Sequence, residues 1–327
     1  MTRNLSPIFL AVFTALAACA RVPHGGVAGP IPAGADALSK DGNYVKAVLV
    51  RGSPEAELLD ARAHGAEVRG GIAVMPRPDG ESVFVSDLSG LHEYDGATGA
   101  LRGRTDIASL QSGPPAAHTL SRDGHLLVLS SASSNRVLVW DPAAQRLLED
   151  HTNFRAPVHA IRFQGDLVVA ELRSTSVVRK RAGETDPVTL VTGMRAPAGL
   201  AATTADLWVA DRASGTILEI VQGGVGLPEP IEVATGLVQP VGLAGDTDGS
   251  LYVVEAGARR LLRINPKTHQ AHVIDEPFSV GGEPPPGPAQ PRPLVAVAVG
   301  ACGTLYVTTD VNDELLRYAP RHRQGCR

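Results

Sequence analysis

One pattern of residues recurs along this chain and constrains its fold more than any other feature. "APAGLAATTADLWVADRASGTILEI" runs from Ala196 to Ile220, and "QPVGLAGDTDGSLYVVEAGARRLLRI" runs from Gln239 to Ile264. Each copy reads as a short strand opening at Pro-x-Gly-Leu, a turn, a strand ("LWVAD" or "LYVVE"), a second turn and a third strand ("TILEI" or "RLLRI"). The same order returns at Gly70 to Asp95, Ala117 to Asp141, Val158 to Lys180 and Leu294 to Tyr318, which makes six units. Aligned on the last residue of the middle strand, they fall at Asp87, Ser131, Glu171, Asp211, Glu255 and Thr309, spaced by 44, 40, 40, 44 and 54 residues. Such intervals suit a repeat of one four-stranded sheet each, arranged radially as propeller blades.

The fourth strand of each sheet reads between units, as "PVTLVTGM" (Pro187 to Met194) and "PIEVATGL" (Pro230 to Leu237). After the sixth unit no such strand follows, but "YVKAVLVRG" (Tyr44 to Gly52) stands before the first with the same character. The N-terminal strand is therefore expected to complete the last blade and close the ring, which removes the exposed edges of an open sheet. The expected fold is all-β: a six-bladed β-propeller closed by an N-terminal strand, over 44–327. Hydrophobic residues at 43%, with Gly 35 and Pro 25, supply a sizeable core and many turns. The stretch Gly281 to Pro293, "GGEPPPGPAQPRP", accounts for the longest spacing and reads as an extended surface excursion.

The first 18 residues have the layout of an export signal: a positive charge at Arg3, an apolar run from Ile8 to Leu16, and small residues before Cys19. The run is too short to span a bilayer as a mature helix. Leu16-Ala17-Ala18-Cys19 resembles the bacterial lipobox, which implies a signal peptide over 1–18, lipid on Cys19, and an outer-membrane lipoprotein facing the periplasm or the surface. Ala20 follows, where an Asp would be the retention signal for the inner membrane. Residues 19–43, rich in Gly, Ala and Pro, read as a flexible tether from membrane to ring. Loss of residues 1–18 removes Arg3 alone among charges and takes the net charge from −4 to −5. An acidic chain without Lys/Arg runs lacks the electrostatic attraction that dominates nucleic-acid binding. Nothing in the sequence calls for an oligomer, and a monomer is expected. Cys302 and Cys326 remain as an even pair in an oxidising compartment, and a disulfide between them is expected.

The repeats resemble those of the NHL and gluconolactonase-like superfamily of six-bladed propellers, which read "P-x-G-L-A…G-x-L-Y-V-A-D…R-I". The resemblance covers Tyr44 to Tyr318 and implies a site at one mouth of the central channel, where the x residues and the ends of the middle strands meet. In the superfamily's lactonases, x supplies Asn or Asp to a divalent metal; in its amidating and streptogramin lyases, a His there binds metal or acts as base. Here the x positions read Gly70, His118, His159, Ala198, Val241 and Leu294. Ala198 and Val241 cannot bind a metal, so hydrolysis of the lactonase kind is not expected.

"AHTL" and "VHAI" put His118 and His159 at matching places on neighbouring blades. Two imidazoles at one mouth would share a divalent metal, or act as acid and base near neutral pH. A zinc site wants a third protein ligand, for which Asp87, Glu171, Asp211 and Glu255 are the candidates. Against that, such acids commonly pair with a following arginine, as Asp211 with Arg212 or Glu255 with Arg259 or Arg260. Gly-x-Ser-x-Gly, Cys-x-x-Cys and His-Glu-x-x-His are all absent. The expected function is binding of a small ligand or protein partner at the mouth. The alternative is a metal-dependent hydrolase or lyase that uses the mouth histidines.

Overall fold

The computed structural model describes residues 37–51, 70–87, 90–107, 119–277, 295–310 and 314–322. Cys19, His118, Leu294, Cys326 and the excursion 281–293 lie outside the described residues, and so do the signal peptide and most of the tether.

Six antiparallel sheets form the ring. Blade 1 comprises Ile72–Arg77, Gly80–Asp87, Gly90–Asp95 and Leu101–Thr105. Blade 2 comprises Thr119–Asp123, Leu126–Ser131, Arg136–Asp141 and Arg146–His151. Blade 3 comprises Pro157–Phe163, Asp166–Glu171, Ser176–Lys180 and Val188–Val191. Blade 4 comprises Pro197–Ala202, Leu207–Asp211, Thr216–Gln222 and Val225–Ala234, and blade 5 Pro240–Gly245, Leu251–Glu255, Arg260–Asn265 and Gln270–Asp275. Blade 6 joins Val297–Val299, Leu305–Thr308 and Glu314–Pro320 to Tyr44–Arg51 from the other end of the chain. Tyr44 pairs with Pro320 and Arg51 with Glu314, so the N-terminal strand closes the ring as expected.

The last residues of the expected tether belong to this sheet. Ala37–Leu38 pairs with Lys46 and Val45 as a fifth strand on blade 6. The connecting turn forms because Asp41 accepts the Asn43 N–H at 3.0 Å and Gly42 takes φ 71°, a left-handed conformation that glycine adopts without penalty. A boundary drawn at residue 43 from composition therefore cuts a hairpin.

The core is a ring of six apolar wedges, one between each pair of neighbouring blades. Blade 3 shows how the sequence builds them. Along "DLVVAE", Leu167 and Val169 pack against blade 2, while Val168 and Ala170 pack against blade 4. Side chains of a strand alternate between its faces, and here both faces are covered. The middle strands are accordingly continuous apolar runs rather than apolar and polar in turn, and all four of these residues are at most 2% exposed. Each fully buried valine or leucine contributes roughly 1.5–3 kcal/mol by leaving water, and each blade supplies one for each neighbour.

Candidate functional site

The innermost strands begin at one end of the channel, and there a cavity of about 90 Å³ opens. All six blades line it, through Ile72, Leu120, Val158, Ala198, Val241 and Ala296 among others. Among the described lining residues only Thr119, His159 and Arg212 carry polar side chains.

The pairing register explains which residues reach the cavity. Pro157 stands opposite Glu171, Pro197 opposite Asp211 and Pro240 opposite Glu255, each followed by a shift in register. Aligned on these prolines, the x positions are Val158, Ala198 and Val241, and His159 falls where blades 4 and 5 have Gly199 and Gly242. The assignment of His159 to x is corrected by one residue. The glycines permit close contact between inner strands: a Cβ on Gly199 would lie 2.7 Å from the Leu243 nitrogen and from the Val241 oxygen. Blade 3 has an imidazole at this place instead. Its Nδ1 accepts the N–H of Leu200, the counterpart of Leu243, at 2.9 Å. Its Nε2 faces the carbonyl of Leu120 at 3.4 Å. With Nδ1 an acceptor, Nε2 carries the proton, and one neutral ring bridges the inner strands of blades 2, 3 and 4. Burial pulls its pKa down to about 4, only partly offset by the bond to the Leu120 carbonyl.

The four acids stand at the ends of middle strands, and the cavity wall is built without them. Glu171 accepts the Arg155 N–H at 2.8 Å and the Ser174 hydroxyl at 2.5 Å. Asp211 accepts backbone N–H groups of Arg195 (2.7 Å), Ala196 (2.9 Å), Ala213 (3.1 Å) and Ser214 (3.3 Å). Burial pushes its pKa up, but these donors outweigh burial and hold it below the usual carboxylate range. Glu255, fully buried, accepts the Val238 N–H at 2.6 Å and both Nε and Nη2 of Arg260, at 2.9 and 2.6 Å. Asp87 accepts the Gly90 N–H at 3.0 Å and meets His92 Nε2 at 3.1 Å. In blades 3, 4 and 5 the acid thus brackets the segment that enters its own innermost strand. The Glu255–Arg260 pair matches the expected acid–arginine pairing, whereas backbone groups take the oxygens of Asp211.

The structure brings none of these acids together with His159 as a metal set: among the described residues no group of three His, Cys, Asp or Glu is placed to hold an ion. Cys302 occupies the turn Ala301–Gly303 of blade 6 at φ 60°. Sequence reading missed the apolar lining and Arg212, which it treated only as a partner for Asp211. The available signal was Val158, Ala198 and Val241 themselves, apolar at successive x positions.

No protein-family model matches the chain, and no curated protein does. Solved structures do match. A gluconolactonase from Xanthomonas campestris superposes with a TM-score of 0.60 at 15% identity, over 89% of this chain and 99% of that one. A streptogramin B lyase gives 0.54 at 14% identity, over 85% and 98%. Regucalcin from Agrobacterium tumefaciens, a calcium-binding protein, gives 0.51 at 13% identity, over 77% and 89%. The chain has the six-bladed fold of these propellers. At such identities the likeness concerns the fold, and sites vary widely on one fold; this propeller's chemistry must be read from its own mouth.

Proposed function

We propose that this propeller binds a small, largely apolar ligand at the mouth of its channel and works as a binding protein. One observation carries the reading: the inner strands of all six blades converge on a single cavity whose described wall is aliphatic apart from three side chains. A concave apolar site with few polar groups is the common form of a small-molecule pocket. The bonding of the nearby acids and of both His159 nitrogens supports binding over metal chemistry, since each group already has backbone or side-chain partners.

Fragment-sized aromatic probes such as indole and benzamide should bind in ligand-observed NMR titrations of the full chain. Ala198→Phe, placed in the wall of the cavity, should reduce that binding at least about tenfold while the circular dichroism spectrum stays unchanged. Chelation with EDTA should leave binding intact. Stoichiometric divalent metal in the purified protein, with probe binding lost on chelation, would overturn this reading in favour of a metal-dependent hydrolase or lyase.

A further inference from the structure

The place that His159 takes in blade 3 recurs in every blade. Thr119 pairs with Ser130, His159 with Ala170 and Gly242 with Val254, partners that directly precede Ser131, Glu171 and Glu255. In the same way the Gly71 carbonyl accepts the Ser86 N–H at 3.1 Å and the Ala296 carbonyl accepts the Thr308 N–H at 3.0 Å. With Gly199 of blade 4 these residues form one tier of the channel, and all six line the cavity. Four of them reach no further than a methyl group. Only the neighbouring blades 2 and 3 put larger side chains here, Thr119 and His159, and both are polar.

Both also hold hydrogen-bonding capacity that the chain leaves unused. Thr119 is 7% exposed, and its Oγ1 has no hydrogen-bond partner among the described residues. Ser130, opposite it in the register, has a second buried hydroxyl without a partner. His159 Nδ1 is taken by the Leu200 N–H, but the Nε2–H meets the Leu120 carbonyl only at 3.4 Å, past the roughly 3.2 Å reach of a well-formed N–H···O bond. A buried polar group without a partner is rare in a folded protein. The Thr119 Oγ1 is covered in this structure, and one step between staggered χ1 rotamers exchanges it with the methyl group, so the residue can turn its hydroxyl toward a bound molecule.

We infer that the mouth takes a small apolar molecule with one hydrogen-bond-accepting oxygen, held in the corner between the Thr119 hydroxyl and the His159 Nε2–H. This rests on the reading of the mouth as the ligand site and adds the polar group that the ligand carries and the residues that receive it. Both corner groups donate, so a single acceptor oxygen satisfies the two together. The rest of the tier carries no side chain beyond a methyl group and suits the ligand's apolar body. A polyhydroxylated ligand would press most of its hydroxyls against aliphatic wall, each one losing water without a replacement bond.

Acetophenone and α-methylstyrene have the same shape and differ in one atom group, a carbonyl oxygen against a methylene, so they separate the inference from its foundation. Thr119→Val replaces the hydroxyl with a methyl group of nearly the same size. In saturation-transfer NMR titrations of the full chain, it should weaken acetophenone about tenfold and leave α-methylstyrene within about twofold of its affinity for the natural chain. Unchanged α-methylstyrene also reports that the cavity is intact. Thr119→Ser, which keeps the hydroxyl, should keep the acetophenone affinity. Acetophenone binding that survives Thr119→Val, or an equal loss of both probes, overturns the inference and leaves the mouth as a ligand site. So does a natural chain that binds α-methylstyrene and not acetophenone. Binding of neither probe removes the mouth reading itself.

Discussion

At the channel mouth, polar side chains bond mainly to backbone; at the seam that closes the ring, they bond to one another. His159 bridges main-chain groups of Leu200 and Leu120, and Asp211 grips main-chain N–H groups of Arg195 and Ala196. Between blades 5 and 6, Lys46 Nζ meets Asp275 Oδ2 at 2.7 Å, the Tyr318 hydroxyl donates to the same oxygen at 2.8 Å, and the hydroxyls of Tyr44 and Tyr252 lie 3.2 Å apart. The acids at the mouth solve a local problem, since their targets lie 15 to 17 residues away. Every residue but proline offers a backbone N–H, so the solution repeats from blade to blade. The seam must recruit a strand 229 residues distant at Lys46, against a loop-closure entropy that grows with separation. Only side chains can mark that strand as the right one. Brackets aimed at backbone leave the mouth wall aliphatic, whereas the seam adds paired polar side chains to its apolar wedge and serves closure.

The largest expected effect lies at the seam. Asp275→Ala leaves the Tyr318 hydroxyl, which is fully buried, without an acceptor and separates Lys46 from its partner. Together these losses should cost about 3–4 kcal/mol, or a fall in Tm of roughly 5–7 °C for a domain of this size. Urea unfolding should show one cooperative transition moved to lower denaturant, with probe binding at the mouth unchanged in the folded baseline. A shift below 1 kcal/mol would show that the seam does not depend on this carboxylate.

The mouth should reveal itself next, by acid. His159 titrates near its usual 6.5 in the unfolded chain and at about 4 in the fold, so between these values the unfolded chain binds the extra proton. Stability is complete above pH 6.5 and is lost as the pH falls toward 4, by about 3 kcal/mol at roughly 1.4 kcal/mol per unit. His159→Gln removes that titration. The variant should be less stable than the natural chain at pH 7 and approach it at pH 4. Parallel stability curves from pH 7 to pH 4 would mean that the imidazole is not held as a neutral bridge between blades.

Blade number, strand order and ring closure are all legible in the sequence because each is written several times. The acid-bearing middle strands recur at 40- and 44-residue intervals, and Tyr44–Arg51 has the character of the strand that blade 6 lacks. The site is less legible, because its meaning turns on single residues of register. Pro157 in "APVHAI", aligned with Pro197 and Pro240, puts His159 in the place of Gly199 and Gly242 rather than at x, and a histidine where the motif has glycine hides the match. The acids mislead for a related reason. A carboxylate next to a channel reads as a ligand until its backbone donors are visible, and backbone N–H groups leave no trace in a sequence.

The smallest expected effect tests whether the brackets shape the mouth at all. Asp211→Asn keeps one acceptor oxygen but gives up the charge and turns an N–H₂ group toward N–H donors, which should cost about 1–2 kcal/mol. The folded carboxyl titrates below its ordinary value of 3.8. Its contribution is therefore present above about 3.8 and lost as the pH falls through the lower folded value. The gap between natural chain and variant should be constant from pH 7 to pH 5 and close in stronger acid. Its functional mark should exceed its effect on stability, because the oxygen retained on the Oδ1 side keeps Ala196, Ala213 and Ser214 while the Arg195 N–H, next to Ala196 in the cavity wall, loses its acceptor. Hydrogen exchange at Arg195 should quicken about tenfold, and benzamide affinity should fall with it. Asp275→Ala should show the reverse pattern, a large loss of stability and a mouth that binds as before. If Asp211→Asn instead destabilises the whole ring as much as Asp275→Ala and leaves binding untouched, the mouth acids serve closure like the seam, and the division between the two regions fails.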